Sequence, residues 1–287
     1  VSNGFHAATP CESDTETQSF ESFFLSYWNR VKRVAIVDEE PISFSNSHGD
    51  TLVGMLHHPA KSNLAGAAIL CHGMESDKNS TKLIFLSQQL AQRGILTLRF
   101  DFSYVGESSG KFEDITYSGE VEDLRAAYAL MRNRHDGKIA IFGSSMGGTV
   151  ALMFAAAEPQ VAALVTLAAP LHPENFPKRV LPPAGLERWR RRGYTRFNGQ
   201  RLNVTMLEDL ESIDVPGAAR KIRCPVLILH GDADEVVAVA EAHELHGCLT
   251  SSKRLSILKD GDHHLSDPII MQRAMHEALD WLTDHVR

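Results

Sequence analysis

The chain is poor in cysteine, and the cysteines it has show no regular spacing. Cys11, Cys71, Cys224 and Cys248 are scattered through 287 residues. That excludes a disulfide scaffold and the closely spaced Cys/His metal signatures. Cys71 and Cys224 fall in or beside apolar runs and read as small core residues. The pattern favours a reducing compartment, so a cytoplasmic location is expected. No apolar run approaches a membrane span in length. No stretch has the make-up of a signal-peptide core. Positive charge is also short: 29 Lys and Arg stand against 36 Asp and Glu, a net charge of −7. There is no global basic field to draw in nucleic acid.

Cofactor signatures are missing too. Gly143 to Thr149 is rich in glycine but lacks the lysine of a phosphate loop. No Gly-x-Gly-x-x-Gly follows the first strand, so a dinucleotide is not expected. The histidine pairs His57-His58 and His263-His264 stand on adjacent residues. Adjacent side chains point different ways, and no Cys/His/Asp spacing matches a metal signature. The expectation is no metal and no cofactor.

What remains is an ordinary globular composition, 43% hydrophobic and 23% charged, with length for one domain plus an insertion. Residues 1–32 read as a polar tail followed by an aromatic helix, with Phe20, Phe24, Tyr27 and Val31 at helical spacing. Short strands at Val34 to Val37, Ile42 to Phe44 and Thr51 to Leu56 give an antiparallel opening. From there strands and helices alternate. Ala67 to Cys71, Ile95 to Phe100, Lys138 to Phe142 and Val161 to Leu167 read as strands, with helical periodicity between them. This alternation predicts an α/β fold, a mostly parallel central sheet with helices on both faces.

Residues 33–170 form the first part of that core and 218–287 the second. The segment 171–217 breaks the alternation. Pro170, Pro173, Pro177, Pro182 and Pro183 interrupt its start, and Asn198-Gly199 signals a hairpin. It reads as a cap over the active edge. Phe176, Trp189, Tyr194 and Phe197 are its candidate pocket residues, with the cap's own small core as the competing role. Arg188 and Arg190 to Arg192 read as a solvated face.

The organising stretch is Gly143-Ser144-Ser145-Met146-Gly147, a Gly-x-Ser-x-Gly pattern between a strand and a helix. A serine on such a turn is strained and has its hydroxyl pushed outward. The glycines let strand and helix pass closely. Pro225 to His230 reads as a buried strand that runs into Gly231-Asp232-Ala233-Asp234, and the loop after the next strand carries Gly261-Asp262-His263-His264. Serine, carboxylate and histidine thus follow in the chain order of a Ser-Asp-His triad. A serine hydroxyl needs an imidazole to take its proton and a carboxylate to orient that imidazole. On residue types alone, Asp232 or Asp234 could be the acid and His263 or His264 the base.

With Cys71-His72-Gly73-Met74, Arg99-Phe100-Asp101-Phe102 and Gly106-Glu107-Ser108, these motifs make residues 51 to 285 resemble the α/β-hydrolase superfamily. Within it the chain is similar to small bacterial esterases, of the cinnamoyl and feruloyl esterase and serine-aminopeptidase-like kinds. The resemblance implies Ser145 as nucleophile, Asp234 as acid and His263 as base. It implies the backbone N–H groups of Met74 and Met146 as the oxyanion hole, with His72 shaping that loop and Asp101 pinning loops nearby. The expected activity is hydrolysis of small or aryl carboxylic esters through an acyl-enzyme. A thioesterase, a C–C bond hydrolase and a non-catalytic binding protein are the alternatives. The expected partner is a small-molecule ester, with no nucleic acid and no membrane span, in a monomer or homodimer.

Overall fold

A computed structural model describes residues 38–59 and 65–287. The aromatic stripe of residues 20 to 31 and the strand expected at Val34 to Val37 lie outside the described residues.

Eight strands form one sheet. In chain order they are β1 (Glu39–Ser45), β2 (Thr51–His57), β3 (Gly66–Cys71), β4 (Ile95–Phe100), β5 (Ile139–Ser144), β6 (Val161–Leu167), β9 (Val226–Gly231) and β10 (Lys253–Leu258). Their spatial order is β1-β2-β4-β3-β5-β6-β9-β10. The first two strands pair antiparallel, and β2 joins β4 antiparallel. The remaining pairings are parallel. This is the α/β sheet with an antiparallel opening that the alternation predicts.

β3, β4, β5 and β9 are buried at every position. A parallel sheet is covered by helices on both faces, so its strands are near-continuous apolar runs. The covering helices are α1 (Thr81–Gln92), α2 (Tyr117–Arg134), α3 (Met146–Ala157), α8 (Val239–Cys248) and α9 (Pro268–Val286). Their ends follow local chemistry. Ser80 caps α1 by accepting from the Leu83 N–H, and Thr116 caps α2 by accepting from Gly119. Asp267 caps α9, with Pro268 in the first turn where no N–H is missed.

Between β6 and β9 lies the insertion. It holds α4 (Phe176–Val180), α5 (Pro183–Arg192), the hairpin β7 (Tyr194–Phe197) and β8 (Gln200–Asn203), α6 (Val204–Ser212) and α7 (Val215–Ala219). The hairpin turns at Asn198 and Gly199, both at positive φ, as the Asn-Gly pair demands. Its prolines do something other than interrupt. Pro177 and Pro183 sit in the first turns of α4 and α5, where a fixed φ starts a helix. In α5 only Gly185 and Trp189 are buried, while Arg188, Arg190, Arg191 and Arg192 are exposed.

Candidate active site

Because β3, β5, β9 and β10 run parallel, the loops at their carboxyl ends open on one edge of the sheet. His72 follows β3, Ser145 follows β5, Asp234 follows β9 and His263 follows β10.

Ser145 takes φ 52° and ψ −123°, a strained conformation for a residue with a Cβ. Such strain costs about 1–3 kcal/mol and persists only where the surroundings enforce it. Here the Ser145 N–H is tied to the Leu167 carbonyl of β6 at 2.8 Å. The turn also needs the absence of a side chain next to it. A Cβ on Gly147 would lie 2.2 Å from the His72 carbonyl oxygen. Glycine therefore lets the β3 loop close down on the start of α3.

Ser145 Oγ lies 3.0 Å from His263 Nε2. On the other side of that ring, Nδ1 lies 2.8 Å from Asp234 Oδ2. The Asp234 carboxylate is fully buried. Its Oδ1 accepts from the Val236 and Val237 N–H groups at 2.9 and 2.7 Å. His230, itself buried, brings Nε2 to 2.9 Å from the Val237 carbonyl and 3.3 Å from Asp234 Oδ2. A carbonyl only accepts, so that nitrogen carries the proton. Burial pushes the Asp234 carboxyl up. The hydrogen bonds from His230, His263 and Val237 outweigh it and hold the group well below the usual carboxylate range.

The two local competitors stand elsewhere. Asp232 is exposed and accepts from the Asp260 N–H at 2.6 Å, a turn contact. His264 is exposed and stacks edge-on against His263 at 5.3 Å between ring centroids. The His57-His58 pair also diverges. His57 accepts from Arg99 Nε at 2.9 Å, and His58 meets Glu40 at 2.8 Å. Among the described residues, no group of three or more His, Cys, Asp or Glu could hold a metal ion.

The loop after β3 is fixed by His72. Its Nε2 accepts from the Phe102 N–H at 3.1 Å, so Nδ1 bears the proton and donates to the Gly73 carbonyl at 2.8 Å. Burial lowers its basicity and keeps the ring neutral for this double role. Asp101, fully buried, braces the region by accepting from the Lys78 N–H at 2.7 Å, Lys78 Nζ at 2.6 Å and the Glu107 N–H at 2.9 Å. Among the described residues, neither the Met74 nor the Met146 N–H donates to a protein group. Both residues line the same cavity as Ser145 and His263.

That cavity has a volume of about 870 Å³. Phe176 and Phe197 of the insertion face it, with ring centroids 5.1 Å apart. Trp189 and Tyr194 do not. Trp189 of α5 is 1% exposed and belongs, with Leu202, Met206 and Leu210 of the insertion, to the hydrophobic core cluster. Tyr194 lies under the Arg201 guanidinium at 4.3 Å. Of the four aromatic residues expected at the pocket, the structure brings two to it.

One buried group went unread in the sequence. Glu120 of α2 is 1% exposed, and neither carboxylate oxygen has a partner among the described residues. Burial raises its pKa well above the carboxylate range, with Asp123 adding to the effect. The unfolded chain therefore holds fewer protons at this group than the folded one once pH passes the ordinary Glu range, and stability falls as pH rises. Glu120→Gln removes that fall. Its stability gain over the parent is expected to grow between pH 5 and pH 8, by up to about 1.4 kcal/mol per pH unit. Urea denaturation at several pH values measures it; parallel curves for parent and variant would disprove a buried neutral carboxyl.

Three relatives place the architecture. Over 251 residues the chain is 25% identical to palmitoyl-protein thioesterase ABHD10, mitochondrial, of Bos taurus, covering 82% of this chain and 81% of that protein. It is 31% identical over 235 residues to 2,6-dihydropseudooxynicotine hydrolase of Paenarthrobacter nicotinovorans, covering 76% of this chain and 57% of the relative. The crystal structure of the esterase domain of a Rhodothermus marinus protein superposes with a TM-score of 0.68 at 25% identity, covering 87% of this chain and all of that domain. Residues 65–216, just over half of the 287, match the alpha/beta hydrolase domain family. With its sheet order, its strained serine elbow and its resemblance to small esterases, the chain belongs to the alpha/beta hydrolases.

Proposed function

We propose that the protein is a serine hydrolase of small or aryl carboxylic esters. The observation that carries this reading is the unbroken line of contacts from Ser145 Oγ through His263 to the buried Asp234. His263 Nε2 takes the hydroxyl proton as Ser145 Oγ bonds to the acyl carbon. The carbonyl electron pair moves to its oxygen, which the Met74 and Met146 N–H groups receive. The imidazolium then returns the proton to the departing alkoxide, and the C–O bond to the alcohol breaks. Water, deprotonated by the same nitrogen, releases the acid and restores Ser145. Asp234 remains ionised throughout and stabilises the imidazolium.

Residues 171–217 act as the cap in this reading. Phe176 and Phe197 give the cavity an aromatic face suited to acyl or aryl groups. A thioester is the second reading, favoured by the likeness to a palmitoyl-protein thioesterase along most of both chains.

A fluorophosphonate probe tests the chemistry. It is expected to form one adduct per chain on Ser145, read by mass spectrometry of the tryptic peptide. p-Nitrophenyl esters of graded chain length, with the matching thioesters, then rank the leaving groups. A folded protein that forms no adduct and turns over none of these substrates would sink the proposal.

A further inference from the structure

Tyr117 is the first residue of α2 and lines the cavity that holds Ser145 and His263. The residue as a whole is 5% exposed. Its hydroxyl makes no hydrogen bond among the described residues, while several other polar groups of the cavity are engaged. Arg179 lines the same cavity, but its guanidinium is tied to Glu241 and to the Val236 carbonyl at 2.8 Å. Glu241 in turn accepts from the Leu171 and His172 N–H groups at 2.9 and 3.0 Å. Asn198 on the cavity wall donates to Glu75 at 2.7 Å. Ser80 accepts from the Leu83 N–H as the α1 cap. That leaves the phenol without a protein partner at a cavity whose apolar lining includes Met74, Leu83, Met146, Pro170 and Phe176.

A hydroxyl at an open cavity is met by water, and a substrate that displaces that water keeps the hydrogen bond only if it brings an oxygen of its own. Sites of this kind prefer a substrate that supplies the missing partner over one that does not. Burial, with Glu120 one turn along the same helix face, holds the phenol protonated far above physiological pH. It therefore acts as a donor.

We propose that Tyr117 is a specificity-determining residue, donating a hydrogen bond to an oxygen that the substrate carries apart from its scissile carbonyl, a keto or ether group on an otherwise apolar skeleton. This rests on the hydrolase reading above and narrows it: plain alkyl esters fit the apolar wall but leave the phenol unmet.

Two series of esters test it, each varying one oxygen along a chain of fixed length. In the first, the acyl group of a p-nitrophenyl ester carries a keto oxygen at successive positions. In the second, the acyl group is constant and the alcohol carries an ether oxygen. The parent protein is expected to prefer one position in one series over the unsubstituted chain by about tenfold in kcat/KM, the weight of one good hydrogen bond. In Tyr117→Phe that ratio falls towards one. The series that shows the preference says whether the oxygen lies on the acid or the alcohol. No preferred position in either series, or a preference that survives Tyr117→Phe, overturns the proposal.

Calorimetric binding of the matching keto and unsubstituted carboxylic acids, and of the ether and unsubstituted alcohols, gives the same comparison without turnover. If no ester is cleaved, the hydrolase reading fails by itself, and these binding ratios in the parent and in Tyr117→Phe alone decide the role of Tyr117.

Discussion

Ser145→Ala is expected to lower kcat for ester hydrolysis by about 10⁶-fold, and His263→Ala by a similar factor. The two should not add. Ser145 Oγ and His263 Nε2 stand 3.0 Å apart, and each is idle without the other. The double variant should therefore be about as slow as either single one. A small rate above the uncatalysed reaction should survive if the proposed oxyanion donors act, because Met74 and Met146 still line the cavity. The elbow itself should persist, since its strain is fixed by the backbone tie to Leu167 and by the close approach that Gly147 allows. His264→Ala provides the contrast. That ring is exposed and makes no hydrogen bond to Ser145 or Asp234, so its loss should cost far less than that of His263. Stopped assays on a p-nitrophenyl ester, with thermal melts to verify folding, decide it. Turnover surviving Ser145→Ala, or a His264 effect exceeding that of His263, would overturn the assignment.

The sheet was legible in the sequence because burial on both faces leaves no other composition. β3, β5 and β9 read as apolar runs because both faces are covered, with polar side chains (Ser144 and His230) only near their carboxyl ends. The elbow was legible because backbone proximity dictates glycine at 143 and 147. Where side-chain direction decided the outcome, the sequence had less to say. Phe176 and Phe197 face the cavity while Trp189 and Tyr194 do not, and all four are aromatic residues in one insertion. Trp189 did carry a signal: with Gly185 four residues before it, it makes the single buried stripe of an otherwise charged helix. The prolines of the insertion misled because a breaker inside a helix and a starter at its first turn are the same residue.

Glu120 and Tyr117 escaped for another reason. The buried stripe of α2 runs through Tyr117, Glu120, Leu124, Ala127 and Met131. Reading the stripe from apolar residues alone starts it at Val121 instead. A carboxylate at helical spacing within a stripe is a signal, but residue type argues against taking it as buried. Likewise, His230 read as the end of a strand. Only the fold shows its Nε2–H beside Asp234.

That second imidazole bears on the other large effect. Asp234→Asn is expected to cost about 10⁴-fold in kcat, although the side chains are nearly the same shape. In the parent, Oδ2 receives protons from two rings, His263 Nδ1 at 2.8 Å and His230 Nε2 at 3.3 Å. Oδ1 is committed to the Val236 and Val237 N–H groups. An asparagine can keep its oxygen on those two amides only by turning its NH₂ towards the rings. That NH₂ is a donor and meets two donors. His230 is held in its tautomer by the Val237 carbonyl at 2.9 Å. His263 is the ring free to change, and it would move its proton to Nε2, the nitrogen that must accept from Ser145. The base is then blocked at neutral pH without any loss of packing. The same substitution alters stability in a defined sense. The Asp234 carboxyl is held below its ordinary range in the folded state, so its contribution is present above the unfolded pKa and lost as pH falls through the folded one. The stability deficit of Asp234→Asn should thus be full at pH 7 and shrink on acidification, as read by urea midpoints at graded pH. Asp232→Asn should show neither effect, because its one contact is the turn to Asp260. If Asp232→Asn is the variant that loses turnover while Asp234→Asn stays within tenfold of the parent, the carboxylate has been wrongly chosen.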